Sequence, residues 1–159
     1  MLFKKNKKTL DILKNFVKLD SLDNLLANEI NFTELKDGKF QIIAISIESN
    51  EIKNIPPLIS KICERATDSG GTIEMIFSSI IIIAYEIINE NDGQKAKTLI
   101  QNLLNEFGVN IKIIYKSSFA LVGNLGSKKR MSYTILFPQT EDLFAKFAEL
   151  KNGSYIELQ

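Results

Sequence analysis

The chain contains no histidine, one cysteine, three prolines and no tryptophan. The missing imidazole removes the commonest general base and the commonest transition-metal ligand. With Cys63 as the lone thiol, neither an internal disulfide nor a soft-ligand zinc site can be assembled. Any chemistry must rest on carboxylates, Lys, Tyr or Ser. Long apolar runs are also lacking. The longest, Ile80 to Tyr85, falls far short of the roughly 20 residues that a membrane-spanning helix needs. The basic start of the chain is not followed by a signal-like apolar stretch, because Lys14 and Lys18 interrupt it. A reducing, cytoplasmic location is therefore expected. A large charge of one sign is absent too. The formal net charge is +1, so no global field draws the chain to nucleic acid, and no nucleic-acid partner is expected.

What is present is ordinary for one globular domain of 159 residues, with 45% hydrophobic and 25% charged residues. The charge is uneven. Lys4, Lys5, Lys7 and Lys8 crowd the start, and no acid appears before Asp11. From Thr9 the period becomes helical, with Leu10, Leu13 and Val17 on one stripe and Ile12, Phe16 and Leu19 broadening it. Asp20 or Ser21 can cap a second short helix carrying Leu22, Leu25, Leu26 and Ile30. Residues 1–35 thus read as a basic tail and helical arm, and residues 36–159 as the domain.

Within the domain, Asp37-Gly38 is a turn signal and Phe40–Ile47 a strand. Pro56-Pro57 opens a helix that runs to about Asp68 and stops at Ser69-Gly70-Gly71. Thr72–Phe77 and Ile80–Ile87 form a hairpin through Ser78-Ser79. Asn91-Asp92-Gly93 breaks the chain before a helix over Lys95–Phe107. Asn110–Tyr115, Phe119–Leu125 and Ser132–Phe137 read as strands, with a polar loop over Gly126–Lys129. A helix over Thr140–Lys151 and a strand over Tyr155–Leu158 end the chain. The order predicts an α+β domain: a ferredoxin-like βαββαβ core with extra C-terminal strands.

Several residues admit a plain reading beside a chemical one. Ser78-Ser79 is a hairpin turn or a nucleophile, and without histidine the turn is the simpler account. Glu48 and Glu51 are solvated loop carboxylates or a new metal site. Cys63, mid-helix beside Ile62 and Ile59, is a small buried residue or a reactive thiol. Lys128-Lys129-Arg130 is a solvated basic loop or a phosphate grip. The basic arm suits packing on the domain, a dimer coil, or contact with a partner or an anionic membrane surface. At a membrane, each Lys near the bilayer is worth about 1 kcal/mol. The residues of that contact would be Lys4, Lys5, Lys7, Lys8 and Phe16.

Three segments carry a resemblance to a known family. Val122-Gly123-Asn124-Leu125-Gly126-Ser127, followed by Arg130-Met131-Ser132-Tyr133-Thr134, is similar to a strand, loop and next strand of class III adenylyl and guanylyl cyclases. Gly70-Gly71-Thr72-Ile73-Glu74 resembles the opening of that family's hairpin, and Phe40–Ile47 sits where its first strand belongs. The resemblance covers about residues 20–150.

The resemblance implies a nucleotidyl cyclase-like fold, and it points to the positions where such an enzyme keeps its chemistry. Two aspartates would hold a pair of magnesium ions, and the matching residues here are Ser46 and Ser79. The adenine-reading lysine falls on Met75. The asparagine and arginine of the late helix fall on Asp142 and Lys146, or on Glu141 and Ala145 without an inserted residue. The phosphate-binding stretch after the first strand becomes Ile47-Glu48-Ser49-Asn50-Glu51, with two acids and no glycine. The resemblance thus implies a degenerate member: no catalytic residue, no cofactor and no metal. It also implies a homodimer, since such sites form between two chains. From this follow the expectations of a scaffold or regulatory module with an unidentified protein partner, of bacterial origin and peripheral at the inner membrane, of a small-molecule sensor using the remnant cleft, or, last, of a residual nucleotidyl cyclase with rebuilt chemistry.

Overall fold

The computed structural model describes residues 35–89, 92–127, 130–136 and 143–158. The expected arm, with Lys4, Lys5, Lys7, Lys8 and Phe16, lies outside them, apart from Leu35. Two compact units are present. The larger comprises the described residues of 38–120 and 137–159; the smaller comprises 35–37 together with the described residues of 121–136.

In the larger unit the chain forms strand β1 (Leu35–Ile47), helix α1 (Ile55–Asp68), strands β2 (Thr72–Phe77) and β3 (Ile80–Glu86), helix α2 (Asp92–Phe107), and the start of strand β4 (Ile111–Ser127). Helix α3 (Leu143–Glu149) and strand β6 (Tyr155–Leu158) follow. The strands lie in the order β2-β3-β1-β4, with β6 on β4. β1 and β2 both run antiparallel to β3, and β6 runs parallel to β4 over Ile113–Lys116. This is a mixed α/β fold with a largely antiparallel sheet.

The sheet's helix-facing residues build one core. Ile43, Ile45 and Ile47 of β1, Ile81, Ile83 and Tyr85 of β3, and Ile111, Ile113 and Tyr115 of β4 cluster with Ile62 and Ala66 of α1 and with Ala96, Leu99, Ile100, Leu103 and Phe107 of α2. Each buried Ile or Leu contributes about 1.5–3 kcal/mol over leaving it exposed. The intervening residues Phe40, Ile42, Ala44, Ile82 and Ala84 are buried as well. That is why the two central strands read as apolar runs and not as an alternation. The Ile80–Ile83 run is accordingly an interior strand, paired on both sides.

Local chemistry sets the ends of α1. Pro56 and Pro57 occupy its first turn, where a missing amide hydrogen costs nothing. At the other end Gly70 takes a left-handed φ of +86°. The Ser69 hydroxyl donates to the Ala66 carbonyl at 2.8 Å and sits 2.5 Å from the Tyr85 hydroxyl. A Cβ on Gly71 would lie 2.9 Å from Ile83 Cγ2 and 3.0 Å from the Ala66 carbonyl oxygen. The helix-to-strand joint thus packs too closely for any side chain. Arg65 of α1 grips Glu106 of α2 through two nitrogens, at 3.1 and 3.3 Å.

Several boundaries differ from expectation. Asp37-Gly38 lies inside β1 and is not a turn; the ladder is already in place at the next residue, where the Ile87 amide donates to the Lys39 carbonyl at 2.8 Å. α2 begins at Asp92, so Asp92 and Gly93 form its first turn and do not break the chain before it. Asp92 Oδ2 accepts from the amides of Ile88 and Asn89 at 3.1 and 2.8 Å, which fixes the entry. The two strands expected across 110–125 are a single strand, and Lys116–Ser118 does not interrupt it. α3 ends at Glu149 and not at Lys151, while its expected start at 140–142 lies outside the described residues.

The smaller unit contains the hairpin of β4 with β5 (Arg130–Leu136), paired from Leu121↔Leu136 to Ser127↔Arg130. The strand occupies Gly126 and Ser127, which were expected in a loop. Residues 128 and 129 lie outside the described residues.

Candidate functional site

One end of the sheet in the larger unit gathers the loops of interest. β1 arrives there at Ser46-Ile47, the β2–β3 turn lies beside it, and the short helical turn Gly108–Asn110 leads into β4. Ser46 is the register partner of Ile80, and the Ile47 amide donates to the Ser79 carbonyl at 2.8 Å. The structure thus brings Ser46 and Ser79 together, as the resemblance requires of the two metal-binding positions. Both side chains are half-buried. Ser78 carries φ +54°. A two-residue hairpin with only its first position left-handed follows the II′ pattern, so Ser78-Ser79 is a turn with a geometric job.

Hydroxyls at these two positions do not fit a pair of hard divalent cations, which take carboxylate oxygens. Among the described residues no group of three His, Cys, Asp or Glu could hold a metal.

The segment after Ser46 is tied down by its own contacts. The Glu48 amide donates to the Asn110 carbonyl at 2.7 Å, and Asn110 Nδ2 returns a bond to the Glu48 carbonyl at 3.2 Å. Glu48 pairs with Lys112 Nζ at 2.5 Å. The Ser49 hydroxyl donates to the Glu51 carbonyl at 3.0 Å, and Lys53 pairs with the Glu51 carboxylate at 3.0 Å. Both acids of the loop therefore have lysine partners, and both carboxylates remain exposed to solvent, as the plain reading expects. Beside them lies a cleft of about 540 Å³ lined by Ile47, Glu48, Ser49, Asn50, Ile55, Val109, Asn110 and Asn152. None of these lining residues is cationic. The sequence reading missed Asn110 and Lys112. They sit at the start of β4, far along the chain from the loop, and only the sheet order brings them to it.

The remaining positions spread out. Met75 is on the edge strand β2, opposite Ile82 and about half exposed. Lys146, on α3, lies 3.7 Å from Glu149 one turn on. Asp142 lies outside the described residues. Cys63 is half-buried, and burial pushes its thiol pKa up, away from the reactive thiolate.

With this geometry in hand, the solved structures that match it are informative. The fold is that of class III adenylyl and guanylyl cyclase catalytic domains. The guanylyl cyclase Cya2 superposes with a TM-score of 0.63 at 17% identity, covering 77% of this chain and 76% of that one. The adenylyl cyclase CyaB from P. aeruginosa gives 0.52 at 16% identity, with 78% of each chain covered. The non-canonical dimeric guanylyl cyclase domain of the RhoGC fusion protein from the aquatic fungus Blastocladiella emersonii gives 0.59 at 10% identity, covering 76% and 79%. No family model matches the sequence, and no curated protein does. Among the described residues no helix is long and apolar enough to cross a membrane.

Proposed function

We propose that this chain is a catalytically inert, cyclase-like domain that serves as an interaction scaffold or regulatory module. Its core is a split βαββαβ arrangement, supported by the element order and the strand order β2-β3-β1-β4. One observation carries the reading. Ser46 and Ser79 meet at the sheet end where a cyclase would need two carboxylates. Hydroxyls of ordinary acidity cannot replace them, and losing one preorganised charge partner already costs on the order of 10²–10³ in rate. Lys146, set against Glu149, does not stand as a free transition-state cation. The domain works as a homodimer and engages a protein partner, in a bacterial cytoplasm and peripherally at the inner membrane. There the arm residues Lys4, Lys5, Lys7, Lys8 and Phe16 make the contact.

Three measurements test this. Incubation with ATP or GTP and magnesium or manganese is expected to yield no cyclic nucleotide; robust turnover that disappears on changing Ser79 or Asp142 would overturn the inert reading. Light scattering should give the mass of two chains, and affinity capture should return one reproducible partner whose recovery drops when the arm lysines are replaced by serine.

A second reading, a small-molecule sensor, draws on the polar cleft beside Glu48. Thermal shifts against nucleotides, cyclic nucleotides and nucleosides test it, because a ligand of the native state raises apparent stability. A flat response at millimolar ligand rejects it.

A further inference from the structure

Helix α1 lies against β2, and α2 against β3, so α1 is the outer helix of the pair. Arg65 of α1 reaches inward to Glu106 of α2. At about 100° per residue, Ile59, Cys63 and Thr67 fall on the flank of α1 opposite Arg65, toward the free edge of β2. Ile59 and Cys63 are half-buried, and none of the three carries a charge. The Thr67 hydroxyl is already satisfied by the carbonyls of Cys63 and Glu64, each at 3.0 Å. Covering it would therefore strand no polar group. Below this flank β2 is the outermost strand of the sheet, and among the described residues no strand pairs with its outer side. Ile76 is opposite Ile81 of the core, so it points to the side where α1 lies. Met75 and Phe77 point to the other side. All three side chains are about half exposed or more.

An uncharged helix flank above an uncharged strand edge, in a chain where 25% of residues are charged, is a surface that suits its own image. We propose that a second copy of this chain docks there. β2 pairs antiparallel with β2 of the copy across a twofold axis at Ile76. Ile76 then opposes itself, and Met75 opposes the partner subunit's Phe77. Glu74 meets the partner subunit's Ser78 and not a second acid. Such an axis stands perpendicular to the sheet, so both helix layers stay on one side and the α1 flanks meet over the joined strands. Three paired residues alone make too small a contact for a stable dimer, and the helix flank supplies a second layer. The inference rests on the homodimer reading above and names its surface and symmetry.

The test uses the full-length chain. Light scattering at micromolar concentration is expected to give the mass of two copies for the wild type. Ile76→Lys puts two ammonium groups face to face at the axis and should weaken the dimer by about a hundredfold or more. Cross-linking reads the register. Opposed residues of an antiparallel pair have Cα atoms about 4.5–5.5 Å apart, within reach of a disulfide. In a Cys63→Ala background, Ile76→Cys should therefore form a covalent dimer on air oxidation. Met75→Cys alone should not, but a mixture of Met75→Cys and Phe77→Cys chains should. A wild type that stays monomeric overturns this inference together with the homodimer reading. A dimer that survives Ile76→Lys, or that fails to cross-link through Ile76→Cys, overturns the inference alone and leaves the homodimer standing on another surface. So does equal cross-linking of Ile76→Cys and Met75→Cys, which would show that no register is fixed. If Ile76→Lys fails to fold, the cross-linking pattern decides, since the cysteine variants add no charge.

Discussion

Replacing both hydroxyls with carboxylates, Ser46→Asp with Ser79→Asp, should build a divalent-cation site at a place where the described residues offer no cluster of ligands. The backbone already supplies the closeness, since the Ile47 amide bonds to the Ser79 carbonyl and Ser46 faces Ile80 across the ladder. Without metal, the two new charges repel. At a separation of about 4 Å that repulsion is worth about 1 kcal/mol in water and up to about 4 kcal/mol near a protein surface, so the variant should melt below the wild type. With manganese at ten times its dissociation constant, binding returns about 1.4 kcal/mol. For a chain of this length that corresponds to a rise of about 3–6 °C in Tm. The assay is thermal unfolding of wild type and double variant across a manganese series, with calcium as a second hard cation. The wild type should stay flat. An equal rise in the wild type would show that other oxygens hold metal in the cleft, and the inert reading would go with it. A folded double variant with no response would mean that the side chains at 46 and 79 do not converge.

Other expectations are narrower. Gly71→Ala forces a methyl to within 2.9 Å of Ile83 and Tyr85, so urea unfolding should show a loss of about 1–3 kcal/mol. Tyr85→Phe removes the bond to Ser69 and should cost about 0.5–1.5 kcal/mol near neutral pH. Burial holds the Tyr85 hydroxyl pKa above its usual value, opposed only in part by the Ser69 bond. The unfolded chain therefore ionises first, and native stability should fall as pH rises past about 10, by more than in the Phe variant. At the acid end Asp92 acts in the opposite sense. Lys95, and then the amides of Asn89 and Ile88, hold its pKa below the ordinary value. Its contribution is present above about pH 4 and lost below, and Asp92→Asn should flatten that limb of a pH-stability curve.

Much of this was legible in the chain itself. The helix opened by Pro56-Pro57 and closed at Gly70, the hairpin through Ser78-Ser79, and the closing strand Tyr155–Leu158 all announce themselves by local signals. The closeness of positions 46 and 79, by contrast, has no local signal and was implied by the family resemblance alone. What misled was local too. Asp37-Gly38 looks like a turn because isolated Asp-Gly favours one, yet a ladder partner can hold the pair extended. Lys116-Ser117-Ser118 looks like a break for the same reason, while pairing of β4 with β6 up to Lys116, and with β5 from Leu121, keeps that strand continuous. The anchoring of Glu48 could not be read at all, because its partners sit 62 and 64 residues further along, at Asn110 and Lys112.

The outermost strand of the larger unit has a consequence for handling the protein at high concentration. β2 presents Met75, Ile76 and Phe77 to solvent at 48%, 51% and 60% exposure, without a lysine or proline to blunt them. A flat row of that kind invites a foreign strand to zip on. The slip in register between Ile73 and Met75 lies at one end of that row and limits the regular apolar edge to three residues. Straightening that slip would lengthen the regular apolar edge and should raise the tendency to aggregate.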